Sequence, residues 1–478
     1  MCRAGAGEVL PALHLLELVR LQTDQQKKRQ RLSLMNASKK TRILILGGGF
    51  AGLHAAMRLD DTLARSPDVE ITMINRDNFF LFTPMLHEVA ASDLDLSNIV
   101  SPVRQLLKRV HFFAGEVESI DLERKLVRVS HGFDCHYHDL PYDHVVIGVG
   151  SITNFFDIPG LEERALTMKS LGDAIHLRNR LIALLEEADM ECCADIRGPL
   201  LTFVVAGGGF AGVETVAAIN DFVRHAVRSY ANLREDMLRV VLVHPGAVIL
   251  PELGDKLGRY AQKKLAKRDV EVRVQTRVAG LTEKGVELST GELIETAALI
   301  WTAGTSPNPV LATLPCEKER GRLKVNDMLQ ASWPGVWALG DCAIVPDGKT
   351  GNSYPPTAQH ALREGKVVAH NLIVSVRGGA MKPFSFSTIG QLAAIGQRAG
   401  VANIFGINFS GFAAWWLWRT IYLSKLPRFE KKLRVALDWT LDLLFGKDLV
   451  QFQTFRAPTI SIKEEDMGKR SSTVPAVN

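Results

Sequence analysis

Short unbroken apolar runs punctuate an otherwise mixed chain, and two of them match. Ile43–Leu46 and Phe203–Ala206 are apolar throughout. Runs this short, without polar alternation, predict strands covered on both faces. Each ends in the same six residues, GGGFAG, at Gly47–Gly52 and again at Gly207–Gly212. Each then passes into a helical pattern, LHAAMRL or VETVAAINDFV. Three further apolar runs end in glycine-bearing turns: LPYDHVVIGVGS (Leu140–Ser151), AALIWTAGTSPNP (Ala297–Pro309) and GVWALGDCA (Gly335–Ala343). Strands alternating with helices in this way predict an α/β chain of two Rossmann-like units, each a parallel sheet between two helical layers.

The repeated turn carries chemistry. In G-x-G-x-x-G between a strand and a helix, Gly47 and Gly207 permit the tight turn. Gly49 and Gly209 let the backbone approach a pyrophosphate, and Gly52 and Gly212 let the helix pack on its strand. The free N–H groups of the helix start, around Phe50 and Ala51, would hold the phosphate charge. Two such turns imply two dinucleotides, and the natural pair is one flavin and one nicotinamide nucleotide. Asp341, at the end of an apolar strand, can accept hydrogen bonds from ribityl or ribose hydroxyls. Gly150, Ala303, Gly304 and Gly340 stand in the strand-end turns and are read as cofactor-binding with them. The flavin unit is therefore interrupted. The expected organisation is an N-terminal extension over 1–40, read as poorly ordered, and a first flavin part over 41–160. An inserted nicotinamide unit follows over 161–323, then a second flavin part over 324–408 and a C-terminal segment over 409–478. Met35 opens a natural-looking start, MNASKKTRILILGGG, so residues 1–34 are read as dispensable.

Acidic residues commonly grip the ribose after the second strand of such a unit. Here VEITMINRDN puts Asn75 at that place in the first unit, and LRVVLVHPGAVILPELG puts His244 there in the second. Asn75 can still bond a ribose. Without a carboxylate nothing repels a 2′-phosphate, and a protonated His244 would attract it, so NADPH stays open beside NADH.

The C-terminal segment departs from this pattern. FSGFAAWWLWRTIYLSKLPRFEKKLRVALDWTLDLLF clusters Trp415, Trp416 and Trp418, and then spaces Leu433, Leu437, Leu441 and Leu444 as on a helix. Arg419–Arg434 holds six basic residues against the single acid Glu430, a local excess equal to the net +5 of the whole chain. Aromatic anchors with a basic rim predict helices lying in a membrane interface; a homodimer hairpin is the other reading. No apolar run reaches the roughly 18 residues of a membrane-spanning helix. The six cysteines show no C-x-x-C or zinc spacing, and none lies between Cys2 and Cys135. Cys192 and Cys193 fall in a polar linker, ADMECCADIRG. The residues therefore suggest no metal site, and no thiol relay between flavin and acceptor. No basic stripe with interleaved aromatics outside the tail suggests nucleic acid.

Taken together, ILILGGGFAGL, NFFLFTPMLHEVA, GGGFAGVET, WTAGTSPNP, ALGDCA and PPTAQHALREG make the chain, over about Thr41–Val450, resemble the type II NADH dehydrogenases. These are NADH:quinone oxidoreductases among the flavoproteins with two dinucleotide-binding domains. The resemblance implies non-covalent FAD, NADH as donor, a membrane quinone as acceptor and no proton pumping. It also implies peripheral attachment at the cytoplasmic face of the inner (plasma) membrane. It places Glu214, in the GVE of the second turn, near the nicotinamide, and Ala358 and Gln359 beside the flavin and the quinone head group. Glu214 and Gln359 are its catalytic candidates. The family pattern continues with paired glutamines where this chain has Arg363 and Glu364. His87, in LFTPMLHEVA, reads as a surface or capping histidine, with proton donation to the quinone as the alternative. Two other functions compete: a soluble NAD(P)H-dependent reductase of a carrier protein, and a non-catalytic redox-sensing flavoprotein.

Overall fold

A computed structural model describes residues 40–132, 136–442, 445 and 447–452. The predicted N-terminal extension, Met35, Cys2, Cys135 and Leu444 lie outside the described residues.

The first unit is built on β1 (Thr41–Leu46), α1 (Phe50–Asp60), β2 (Val69–Asn75), the short α2 (Leu86–Ala90), β3 (His111–Ala114) and β4 (His144–Ile147). The second holds β5 (Leu166–Thr167), α3 (Leu171–Met190), β6 (Thr202–Ala206), α4 (Phe210–Ala226), β7 (Arg239–Val243), β8 (Val270–Arg273) and β9 (Ala298–Trp301). The chain then returns to the first unit with β10 (Val336–Ala338) and α5 (Ala358–Arg377). It ends in β11 (Gly390–Ala394), β12 (Gly400–Ile404), β13 (Ile407–Gly411), α6 (Phe412–Lys425) and α7 (Phe429–Leu441).

The two main sheets share one plan. The first runs β10-β4-β1-β2-β3 and the second β5-β9-β6-β7-β8, and every pairing in both is parallel. The central strands β1 and β6 are the runs that precede the glycine turns. Both are sealed on two faces, with Ile43, Ile45 and Leu46 and Phe203, Val204 and Val205 fully buried. Order reverses beside each central strand, so each turn opens at the crevice where such sheets bind ligands. The units join through an antiparallel pair of crossovers, Ser151–Thr153 against Thr305–Pro307.

Close backbone approach fixes the helix over the first turn. Helix α5 crosses α1 at Gly365, where a Cβ would lie 2.3 Å from the Ala51 carbonyl oxygen and 2.9 Å from the Ala55 nitrogen. The tail is not a loose appendage. The antiparallel sheet β11-β12-β13 crosses the boundary expected at residue 409, and α6 packs back onto it. Trp418 is fully buried and Trp416 exposed, so the predicted aromatic cluster divides between core and surface. Helix α7 likewise buries Lys431, Val435 and Trp439 and exposes Leu433, Leu437 and Leu441. The Lys431 ammonium donates to the Ser97 carbonyl at 2.6 Å.

Gly365→Ala is expected to lower stability by about 1–3 kcal/mol through overpacking against α1. Thermal unfolding beside the parent checks this; an unchanged melting temperature would show that α1 and α5 separate freely.

Candidate active site between the two units

The glycine turns are built alike down to their second-strand partners. Gly47 and Gly207 take φ of +99° and +115°, and a Cβ on either would strike the strand-end backbone beyond, at Gly148 or Thr302–Ala303. A Cβ on Gly52 or Gly212 would lie 2.1 or 1.8 Å from the Gly47 or Gly207 carbonyl oxygen. By contrast, a Cβ on Gly49 or Gly209 meets nothing within 4 Å. Both pairs of backbone-locking glycines therefore frame an open cradle, as a pyrophosphate requires.

Asn75 and His244 are counterparts. The Gly48 N–H donates to Asn75 Oδ1 at 2.7 Å, and the Gly208 N–H donates to His244 Nδ1 at 3.1 Å. Accepting that bond fixes the Nε2–H tautomer of His244. Burial pulls its pKa below the ordinary histidine range. Burial and the N–H accepted at Nδ1 both disfavour the protonated ring that would attract a 2′-phosphate.

A cavity of about 600 Å³ lies where the units meet. Its wall includes Gly49, Phe50, Ala51, Gly150, Gly340, Asp341 and Ala358 from the first unit, and Glu214 and Gly304 from the second. Ala303 stands beside it, backing the Gly207 turn. Sequence reasoning missed several wall residues, among them Ser151, Lys169 and Tyr422. Lys169 Nζ donates to Ser151 Oγ at 2.9 Å, and Ser151 Oγ donates to Asp341 Oδ2 at 2.8 Å. Tyr422 reaches the same wall from α6. Lys169 lies just after β5 and Tyr422 on the tail, so no local pattern marked either.

Glu214 occupies the second turn of α4 and is buried. Trp418 Nε1 donates to its Oε1 at 2.9 Å and the Ala394 N–H at 3.2 Å. Burial outweighs both bonds and pushes its pKa up to about 8. His87 is buried as well, not superficial; its Nδ1 stands 3.8 Å from Glu214 Oε2. Burial lowers its pKa to about 3, so it is neutral. Next to it, Glu88 is pushed up to about 8 by burial, and Trp439 Nε1 donates to its Oε2 at 3.1 Å. Glu214 and His87 also line a second, polar cavity of about 200 Å³ with Glu88, Asp93, Asp221 and Arg419.

A third cavity of about 210 Å³ adjoins the cleft through Phe50, Pro84, Phe210, Ala358 and Tyr422. It is mostly apolar, and Gln359, Arg363 and Lys425 supply polar groups to its wall. Gln359 Nε2 donates to the Gly390 carbonyl at 3.3 Å. Glu364 turns away from this cavity. It is buried and accepts the Gly340 N–H at 2.7 Å, bracing the turn that carries Asp341. Thr357 stands at the N-cap of α5, but its hydroxyl bonds His360 Nδ1 at 2.7 Å and not the helix backbone.

Cys192 and Cys193 are exposed, Cys316 and Cys342 buried, and none lines these cavities. Paired dinucleotide sheets over one cleft define the architecture of a two-dinucleotide oxidoreductase. The pattern of the pyridine nucleotide-disulphide oxidoreductase family matches residues 41–365, and that of the NDH2 C-terminal domain matches 389–448. The chain is 31% identical to the type II NADH:quinone oxidoreductase Ndh of Mycobacterium tuberculosis, covering 85% of this chain and 89% of that one. It is 31% identical to a probable NADH dehydrogenase of Dictyostelium discoideum, covering 86% and 91%. In fold it superposes on NDH2 of Plasmodium falciparum, solved with NADH, at a TM-score of 0.80 and 20% identity, over 86% of this chain and all of that one. This chain belongs to the type II NADH:quinone oxidoreductase family.

Glu88 and Glu214 set a direction for stability against pH. Each carboxyl titrates near 4.5 when unfolded and near 8 when folded. Between those values the folded state holds protons that the unfolded state has released, so stability falls as pH rises through that window. Glu88→Gln should remove part of that slope. Its melting temperature relative to the parent should rise between pH 5 and pH 8; a gap that stays constant would mean that Glu88 is not held protonated.

Proposed function

We infer that this chain oxidises NADH and reduces a quinone, using FAD held non-covalently in its first unit. The observation that carries this reading is the junction cleft. It is walled by both units, one cradle opens at its rim, and it continues directly into an apolar cavity beneath the tail. Bound FAD would accept a hydride from a nicotinamide and pass two electrons to the acceptor; the protein supplies position and environment.

The residues divide that work. The Gly49 cradle and the first-turn N–H groups at Phe50 and Ala51 would hold the FAD pyrophosphate, and Asn75 the adenosine ribose. The Lys169–Ser151–Asp341 chain presents polar groups to the ribityl side. Gly150 and Gly340 open the adjoining backbone, and Glu364 keeps the Asp341 turn in place. Gly209, between Gly207 and Gly212, would admit the pyrophosphate of NADH, with Ala303 and Gly304 at the nicotinamide end. His244 puts no carboxylate at this place to repel a 2′-phosphate, so NADPH remains a usable donor beside NADH. Glu214, neutral below about pH 8, can present a polar group at the nicotinamide without placing an anion there. Ala358 borders both the cleft and the apolar cavity and Gln359 the apolar cavity, the place of the quinone head group. On this reading residues 41–160 and 324–408 form the flavin domain and 161–323 the nicotinamide domain.

We propose further that the tail seats the protein on a membrane. No described helix is long and apolar enough to cross one. Phe405, Ile407, Phe412, Trp416, Phe429, Leu433, Leu437 and Leu441 are all more than half exposed or close to it. Such a patch beside basic residues suits an interfacial surface, with the cytoplasmic face as the side that supplies NADH.

The purified protein should carry a yellow flavin spectrum and reduce a short-chain quinone with NADH; a colourless protein that releases no FAD on denaturation would sink the assignment. Gly49→Val should lose most of its flavin, because the side chain would fill the pyrophosphate cradle. For the membrane, the triple change of Leu433, Leu437 and Leu441 to Ser should abolish co-flotation with liposomes and spare NADH–ferricyanide activity. If flotation survives and a dimer dissociates instead, the stripe is a contact between copies.

A further inference from the structure

Arg363 is a cation in an apolar place. It lines the apolar cavity with Phe82, Leu362, Leu392 and Ile421, is only half-exposed, and lacks a carboxylate within ion-pair distance among the described residues. Two contacts fix the guanidinium there. Its carbon sits 3.8 Å from the centre of the Phe386 ring, and Nη1 donates to the Gln359 carbonyl at 2.7 Å. Neither contact neutralises its charge, and Nη2 and Nε meet no hydrogen-bond partner among the described residues. Burial costs a guanidinium water without returning a counter-ion. The result is a cation held without a counter-ion at the wall of a mostly apolar cavity that adjoins the cleft.

We propose that Arg363 donates to a carbonyl oxygen of the bound quinone and stabilises the negative charge that builds on that oxygen during reduction. The proposal rests on the quinone-reductase reading above. The overall step is quinone + NADH + H⁺ → quinol + NAD⁺. NADH is oxidised by two electrons, both quinone C=O bonds become C–O–H, and the second proton comes from water. Electrons arriving before the protons leave charge on oxygen. A guanidinium held beforehand in a low-dielectric wall stabilises that charge without reorganising. Lys425, also on this wall, is exposed and well hydrated, so its ammonium contributes less. The acceptor class that fits is a quinone whose oxygen edge, not only its ring, reaches the wall. Acceptors already anionic at that edge should bind best.

Two ligands test the binding part on the unmodified holoenzyme. The enolate of 2-hydroxy-1,4-naphthoquinone, anionic at neutral pH, is compared with its neutral 2-methoxy analogue by their perturbation of the flavin absorbance. The anion should bind about tenfold more tightly, as a charge-assisted contact predicts. Arg363→Gln should erase that margin, and Arg363→Lys should keep part of it. In turnover, the ratio of short-chain quinone to ferricyanide rate should fall by about tenfold in Arg363→Gln and partly recover in Arg363→Lys. Equal binding of the two ligands to the parent, or an unchanged margin and rate ratio in Arg363→Gln, would overturn the proposal. If Arg363→Gln does not fold, the two-ligand comparison on the parent still decides it. If the parent reduces no quinone at all, the functional reading itself has failed, which is a different result.

Discussion

The hydrogen bond from Trp418 to Glu214 ties together parts of the chain that sequence distance would keep apart. Glu214 belongs to the second unit, Trp418 to the tail, and the Ala394 N–H that completes the contact to the sheet beneath the tail. A buried carboxyl is tolerable only when neutral or well bonded. Here it is both, and the tail supplies one of the two donors that hold it. Trp439 and Glu88 repeat the arrangement between α7 and α2. Arg419 lies between them, its guanidinium 4.3 Å and 4.5 Å from the Trp415 and Trp439 rings. The tail is thus a structural wall of the site as well as an exposed surface.

The duplicated glycine turn follows from a narrower constraint. A pyrophosphate must come close to backbone, so one glycine must face open space while two others permit the curl and the helix contact. Both turns meet all three conditions with the same backbone shape, φ −73°, ψ −169° at Gly49 and φ −77°, ψ −172° at Gly209. What differs is the side chain that receives the middle N–H. Asn75 returns a second bond to the Asp77 carbonyl at 2.7 Å, and His244 presents a ring. One scaffold therefore presents two chemically distinct side chains at the same place.

Much of this was legible because strand–turn–helix units are local. Ile43–Gly52 and Phe203–Gly212 carry their own strand, turn and helix start within about a dozen residues, and hydrophobic runs report burial directly. The depth of His87 and Glu88 was not legible, because what buries them is Trp418 and Trp439, more than 300 residues along the chain. The split of Trp415, Trp416 and Trp418 between core and surface was hidden for the same reason. Composition marks an aromatic cluster, but helical phase against a neighbour decides which ring points out. The setting of His244 was hidden too, since both its burial and the N–H it accepts from Gly208 are made by the fold. Long-range contacts, not local preference, set the electrostatics of the site.

Those electrostatics separate the two sides of the cleft. The polar cavity shares Glu214 and His87 with the cleft, and the apolar cavity shares Phe50, Pro84, Phe210, Thr357, Ala358 and Tyr422 with it, yet the two smaller cavities share no wall residue. An acceptor in the apolar cavity therefore meets few charged groups besides Arg363 and Lys425, while the buried acids gather on the other wall. Had Glu88 and Glu214 been ionised, their fields would oppose negative charge growing anywhere near the cleft. Burial keeps them neutral, and the tail indoles hold them in place while neutral. The same packing that takes the acids out of water thus leaves Arg363 and Lys425 as the charged groups on the wall of the apolar cavity.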